Sequence, residues 1–248
     1  MTPIRTRQAR TCLVAAFVVG VLVIAQPAES AHKLFLSDGV NSILIEDQDF
    51  APLAPNTGAD IYPEDGIVSW SGAVGTWIIN VTTGLSKPLI GPAQLGLSSV
   101  NVSGGAGTLT IMHTDTDFTS LGGLSALAAI GGTTQGSVEY QAFFDANNTM
   151  FGQGSLIANF GMADYDRAGS AFSGTQSSLA SLTQPYSLTQ VVTIRHSGMA
   201  VSSFGANLGA VAVPESPSAA VGGLAFAFLV FAGFVFRKQG RPLQDGVQ

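Results

Sequence analysis

The residues best spaced for chemistry lie in the run His113-Thr114-Asp115-Thr116-Asp117. Residues two apart on a strand share a face, so His113, Asp115 and Asp117 would converge on one cation. Calcium would take the two carboxylates together with backbone carbonyls. The stronger reading is a polar strand end running into a turn before Phe118, so no metal ligand is assigned. Asp145-Ala146-Asn147-Asn148 and Asp164-Tyr165-Asp166 are fragments of a calcium loop without its full spacing. Asp and Asn also favour turns for local reasons, by bonding the backbone two residues on. Glu46, Asp47 and Asp49, with Glu64 and Asp65, form acidic clusters. Paired carboxylates hydrolyse glycosides only when held about 5 to 10 Å apart, a separation no linear spacing establishes.

Other reaction centres are missing from the text of the chain. No serine has glycine two residues away on both sides, and neither His-Glu-x-x-His nor a phosphate-binding loop occurs. The histidines are His32, His113 and His196. His113 and His196 are the candidates for a Ser-His-Asp arrangement, which nothing else in the sequence supports. His32 is expected to be disordered, close to a processed terminus. The single cysteine, Cys12, lies near the N-terminus, so the remainder has no thiol nucleophile and no disulfide. The expectation is a non-enzymatic domain with no catalytic residue, no cofactor and no metal.

The elements that would position these residues are short and apolar, separated by turn formers. Ser42–Glu46 reads as a strand, and Ile67–Val81 as two strands joined near Gly72 to Gly75. Alternation places Trp77, Ile79 and Val81 on one face. Ser98–Val102 and Thr108–His113, flanking Gly104, Gly105 and Gly107, form the pattern of a hairpin. Gly136–Phe144, Ser155–Phe160, Ala171–Ser177 and Ser187–His196 complete eight or nine strands at sandwich spacing. Only Leu121–Ile130 suggests a helix. The fold expected is all-β, an antiparallel β-sandwich with jelly-roll and immunoglobulin-like topologies both open.

Between Ala31 and Val213, four cations stand against thirteen carboxylates, a net charge of about −9 with histidine neutral. Such a surface repels phosphate backbones, which argues against nucleic-acid binding. Trp70 and Trp77 would stack on sugar rings if exposed, although core packing is the commoner fate. The tripeptides at Asn80, Asn101 and Asn147 fit the glycosylation pattern but are ordinary strand and turn residues by the same count.

The two ends differ from this middle. Arg5, Arg7 and Arg10 precede an apolar stretch from Thr11 to Ala25, and Ala28 and Ser30 follow as small residues. Basic, apolar, small is the order of a secretory signal peptide over residues 1–30, cut after Ser30. The domain expectation is residues 31–200, followed by a linker over 201–218. Within it, Pro214 and Pro217 bracket Glu215 and keep the chain extended. Ala219–Phe236 is uncharged and apolar, and as a helix spans about 27 Å, enough to cross the hydrocarbon core. Arg237, Lys238 and Arg241 close the span, and 237–248 is the basic cytoplasmic tail.

An extended Pro-Glu site, one hydrophobic helix and a basic stop together resemble the PEP-CTERM sorting signal of Gram-negative bacteria. The matching residues are Pro214 and Glu215 as sorting motif, Ala219–Phe236 as span, and Arg237 and Lys238 as membrane stop. Ser216 stands where that motif has its second proline, and about ten residues trail the basic pair. The resemblance covers the tail alone. It implies a protein exported to the periplasm and held in the inner membrane. An exosortase would then cut it near the motif and pass it to the cell surface or extracellular matrix. The function expected is a structural or adhesive role at the surface or in biofilm, with exopolysaccharide as a further partner. A polysaccharide-binding module and an uncharacterised hydrolase are the alternatives.

Overall fold

The computed structural model describes residues 31–91, 93–119, 124–161, 170–180 and 184–212. The signal peptide over 1–30, Pro214, Glu215, the span 219–236, Arg237 and Lys238 lie outside the described residues, as do Asp164 and Asp166. The described residues hold thirteen strands and no helix. The strands are β1 Lys33–Ser37, β2 Ser42–Glu46, β3 Thr57–Gly58, β4 Ile67–Val74, β5 Trp77–Leu85, β6 Gln94–Gly104 and β7 Gly107–Phe118. Then follow β8 Leu124–Thr134, β9 Ser137–Asp145, β10 Ser155–Phe160, β11 Ser170–Ala180, β12 Tyr186–His196 and β13 Ala200–Ala212.

They form two sheets. The first runs β10-β9-β12-β7-β1-β2-β3 and the second β11-β8-β13-β6-β5-β4. Every pairing is antiparallel except β2 with β3. This is the expected β-sandwich. From β6 onward, the chain repeatedly leaves one sheet for the other. The order β7-β12-β9-β10 in the first sheet therefore mirrors β6-β13-β8-β11 in the second.

Alternation builds the core between the sheets. Leu34 and Leu36 of β1 and Leu109 and Ile111 of β7 point inward from the first sheet, meeting Trp77, Ile79, Leu95 and Leu97 of the second. Trp77, Tyr140, Tyr186 and Phe118 are the largest side chains fully withdrawn from water. Each buried aromatic removes enough apolar surface that truncation to Ala costs about 3 to 5 kcal/mol.

Three expectations are corrected. First, β6 and β7 do not form a hairpin. β6 pairs with β5 and β13, and β7 with β1 and β12, so Gly104–Gly107 carries the chain across the sandwich. Glycine marks a tight reversal equally well in either case. Second, the helix expected over Leu121–Ile130 is strand from Leu124 onward, laddered to β11 and β13. Its Leu and Ala favour helix weakly, and two flanking strands override that preference. Ala126, Ala128 and Ile130 face the core at period two. Third, the linker does not begin at 201. Ala200–Ala212 is β13, lying between β6 and β8. Ser202, Phe204, Ala206 and Leu208 alternate inward, but small side chains give that alternation little contrast.

Candidate functional site

β7 occupies an inner position in the first sheet, and His113 projects from it into the sandwich. Cross-strand pairing sets His113 opposite Leu34 of β1 and Gln190 of β12. His32, just before β1, reaches the same point. Its Nε2 lies 2.7 Å from His113 Nε2, and its Nδ1 lies 3.1 Å from Asp47 Oδ2. On the other side, His113 Nδ1 faces Gln190 Oε1 at 3.4 Å. Gln190 Nε2 donates to the Leu95 carbonyl at 3.2 Å and to the Tyr140 hydroxyl at 3.1 Å. The result is a continuous buried chain, Asp47–His32–His113–Gln190–Tyr140. It joins the loop after β2 to β1, β7, β12 and β9, and reaches the second sheet at Leu95.

Donor and acceptor chemistry assigns the protons along it. The Leu95 carbonyl only accepts, so the Gln190 amide nitrogen must face it and Oε1 must face His113. His113 therefore carries its proton on Nδ1 and presents a lone pair at Nε2. His32 bridges this nitrogen and the Asp47 carboxylate with its two ring nitrogens. That carboxylate also accepts from the Gly66 backbone N–H at 2.8 Å. The arrangement links the Asp47 carboxylate, His32 and His113 in one buried polar chain. Burial depresses the pKa of His113 well below the ordinary imidazole value, and the neighbouring His32 lowers it further by charge repulsion between the two rings. Gln190 acts weakly in the opposite direction. Tyr140 is pushed upward, chiefly by burial.

Room for His113 comes from Gly84 on β5. A Cβ there would sit 2.5 Å from His113 Nε2 and 2.8 Å from Val68 Cγ1. Glycine is the residue that allows this approach of backbone to ring.

Two further clasps join the sheets. Asp115 is fully buried and accepts from Ser86 Oγ at 2.5 Å and Lys87 Nζ at 2.9 Å. Lys87 also lies 4.3 Å from the centre of the Phe118 ring. At the opposite end of the sandwich, His196 Nε2 meets Ser202 Oγ at 2.9 Å, and Ser202 meets Thr134 Oγ1 at 2.7 Å. The His196 ring packs on Trp77, their centroids 4.6 Å apart. Burial lowers the pKa of His196, with the Gly104 backbone opposing it.

The proposed convergence of His113, Asp115 and Asp117 does not occur. His113 and Asp115 share the inner face but bond different partners. Asp117 has a positive φ of 59°, at the irregularity where Phe118 pairs with Tyr186, and pairs instead with Asn148. Among the described residues, no three His, Cys, Asp or Glu side chains are grouped to hold a metal ion. Asp145 accepts backbone N–H groups of Asn147 and Thr149, which hold its pKa down and shape the turn. Asp60 likewise accepts from Gln48, Tyr62 and Ser69. Glu46 pairs with Lys33.

His32 is not disordered as expected; it is 1% exposed. Nothing near it in sequence is apolar enough to signal burial except the alternating Leu34 and Leu36. Gln190 and Gly84 carry no motif at all. Trp70 and Trp77 are both buried, with Trp70 resting against Gly72, where a Cβ would lie 2.4 Å from its ring. Neither offers a face to a sugar. His196 with Ser202 is a Ser-His pair, but Ser202 is 0% exposed. No substrate reaches these atoms in this conformation. What the clasps do is tie the sheets together and seat the N-terminal strand.

The fold and these clasps define an all-β, two-sheet sandwich, and the comparisons take the classification no further. No family model and no curated protein matches the chain. Among solved structures, it is similar to infectious bursal disease virus Gx strain at 11% identity and a TM-score of 0.31. That match covers 76% of this chain and 57% of the other. It is also similar to the K1 cleaved adhesin domain of Lys-gingipain from Porphyromonas gingivalis W83. There the identity is 11% and the TM-score 0.24, over 60% of this chain and 92% of the other. The chain thus spans just over half the length of the viral protein. Scores this low carry no statement about function.

Proposed function

We propose that this chain is an exported, non-enzymatic envelope or extracellular-matrix protein, sorted through a PEP-CTERM-like tail and serving a structural or adhesive role. The observation that carries the reading is the three-part C-terminus: Pro214 and Glu215, the apolar run Ala219–Phe236, and the cations Arg237 and Lys238. The interior is consistent with it, because His32, His113, His196 and Asp115 are buried and engaged in clasps between strands. The absence of thiols from residues 31–248 suits a domain that relies on packing and buried polar bonds outside the cell. Exosortase is the processing partner, and exopolysaccharide is the matrix it would join.

Within the sandwich, we read the wrap of β6 to β13 as a jelly roll in preference to an immunoglobulin-like fold. The mirrored orders β7-β12-β9-β10 and β6-β13-β8-β11 support this, being those of two interlocked Greek keys.

Cell fractionation tests the sorting. In a host with an intact exosortase, the protein should leave the inner membrane shortened at its C-terminus, and Glu215→Ala or removal of 219–248 should abolish that step. Full-length protein retained in the inner membrane of the exosortase-positive host would overturn the reading.

A further inference from the structure

The two ends of the sandwich are built differently. At one end the chain turns through two residues each between β4 and β5, β6 and β7, and β8 and β9. At the other it takes the long route from Asp47 to Gly66, interrupted only by the two residues of β3. Hydrogen bonds fold that route onto the edge of β4 and onto the loop after β5. Asp60 N–H donates to the Asp49 carbonyl at 2.9 Å, Ile61 N–H to the Ser69 carbonyl at 3.1 Å, and Ser86 N–H to the Gly66 carbonyl at 2.9 Å. Leu89 N–H closes a turn onto the Ser86 carbonyl at 3.0 Å.

These two loops hold Phe50, Ile61, Tyr62 and Leu89, each about half in water. Apolar exposure gathered in one loop cluster marks an interaction surface, where single scattered residues do not. The cluster lies at the end where β13 leaves the sandwich. Ile67 pairs with Leu85, Leu85 with Gly96, and Gln94 with Gly209, so the start of β4, the end of β5, the start of β6 and the end of β13 lie side by side. β13 ends at Ala212, and Ala219 opens the apolar run seven residues on. Seven residues reach no more than about 25 Å. β4 is three strands from β13, about 15 Å across the sheet. Such a tether lets the cluster touch a bilayer that holds the tail and keeps the domain from moving far off it. Val40 and Met199 are exposed too, but at the opposite end, with the length of β13, about 40 Å, between Met199 and Ala212.

Resting on the reading of 219–236 as a membrane span, we infer that this loop cluster is a second membrane contact: Phe50, Ile61, Tyr62 and Leu89 settle into the headgroup region of the bilayer that holds the tail. Tyr62 has the apolar body and polar tip that favour that depth. Interfacial binding grows with the apolar area buried, so four half-exposed side chains give a weak, reversible contact. The tether supplies the high local concentration that makes a weak contact form. Glu64 and Asp65 are exposed beside Tyr62 and repel an anionic surface, so the lipid this face fits is zwitterionic. Cleavage near Pro214 removes the tether and releases the face along with the domain.

The full chain, reconstituted into phosphatidylcholine vesicles with brominated acyl chains, tests this by tryptophan quenching. The unmodified chain is the baseline, since Trp70 and Trp77 are buried. Phe228→Trp reports on the tail, Tyr62→Trp on the loop cluster and Val40→Trp on the opposite end. Quenching of Phe228→Trp and of Tyr62→Trp is expected, with Val40→Trp at baseline. Adding Phe50→Ser and Leu89→Ser to Tyr62→Trp should cut its quenching by about twofold or more, while circular dichroism stays unchanged because both side chains are on the surface. An unquenched Phe228→Trp would overturn the reading of the tail and this inference with it. A quenched Phe228→Trp beside a Tyr62→Trp no different from Val40→Trp would overturn this inference alone. Quenching at Tyr62→Trp that ignores the two serines would do the same.

Discussion

The first sheet carries ionisable side chains on its strands, among them Lys33, Glu46, His113, Asp115, Glu139, Asp145, Arg195 and His196, while the six strands of the second sheet carry none. The inward side of the first sheet is wired by hydrogen bonds. Part of its outward side is covered too. Phe151 N–H donates to Thr114 Oγ1, Ser187 Oγ donates to the Thr149 carbonyl, and Thr114, Ser187 and Thr189 are all buried. The second sheet instead packs Leu, Val, Ile and Trp inward and leaves uncharged residues in water, Ile78 and Leu179 among them. One sheet is a hub that several segments clasp; the other is a sheet whose strands carry no charge. Buried charge is tolerated where partners are fixed, and it is kept off the surface that meets solvent as a continuous sheet.

If the hub depends on paired charges, breaking a pair should do the most damage. Lys87→Ala leaves the fully buried Asp115 without its cation, and urea unfolding should show a loss of about 3 to 5 kcal/mol. Lys87→Ala combined with Asp115→Leu should recover part of it, since an apolar pair carries no desolvation cost.

Crowding the ring on the opposite sheet comes next. Gly84→Ala forces a carbon against His113 and should cost about 1 to 3 kcal/mol. Gly205→Ala, where the nearest atom to the added carbon is 3.4 Å away, is the comparison within the second sheet and should be milder in the same thermal melt.

Acid should weaken the hub more than the neutral sheet. The folded pKa values of His113 and His196 lie below the unfolded value near 6.5. The unfolded chain therefore binds protons the folded chain refuses. The stability involved is fully present above about pH 6.5 and declines as pH falls below it, by up to about 1.4 kcal/mol per pH unit for each proton. Urea midpoints between neutral pH and pH 5 should show that slope, and His113→Gln should flatten it.

The smallest effect belongs to the open face. Thr133→Lys on β8 is exposed and should change stability by no more than about 0.5 kcal/mol. A loss of several kcal/mol there would erase the contrast between the sheets.

Alternation made most strands legible. β2 and β10 match their expected bounds residue for residue, and Trp77 and Ile79 share the buried face. β13 and β8 were not legible, because Gly, Ala and Ser give period two almost no hydrophobic contrast. The sheet to which each strand belongs was not legible either. A glycine-bearing reversal reads the same in a hairpin as in a crossing between sheets, so Gly104–Gly107 misled. The polar chain was hidden for a related reason. His32, Asp47, His113 and Gln190 are far apart in sequence, and neither His32 nor Gln190 carries a motif.

By itself, the sequence determined the all-β class, the excess of carboxylates, the lack of thiols between 31 and 248, and the composition of the two ends, since these follow from residue type and local periodicity. The tertiary structure alone decided which strands share a sheet, that His32 is seated against His113, and that both tryptophans are buried. Those outcomes depend on contacts between residues far apart in sequence, as in the pairing of Gly209 with Gln94 and the bond from Gln190 to Leu95, and local spacing carries no record of such contacts.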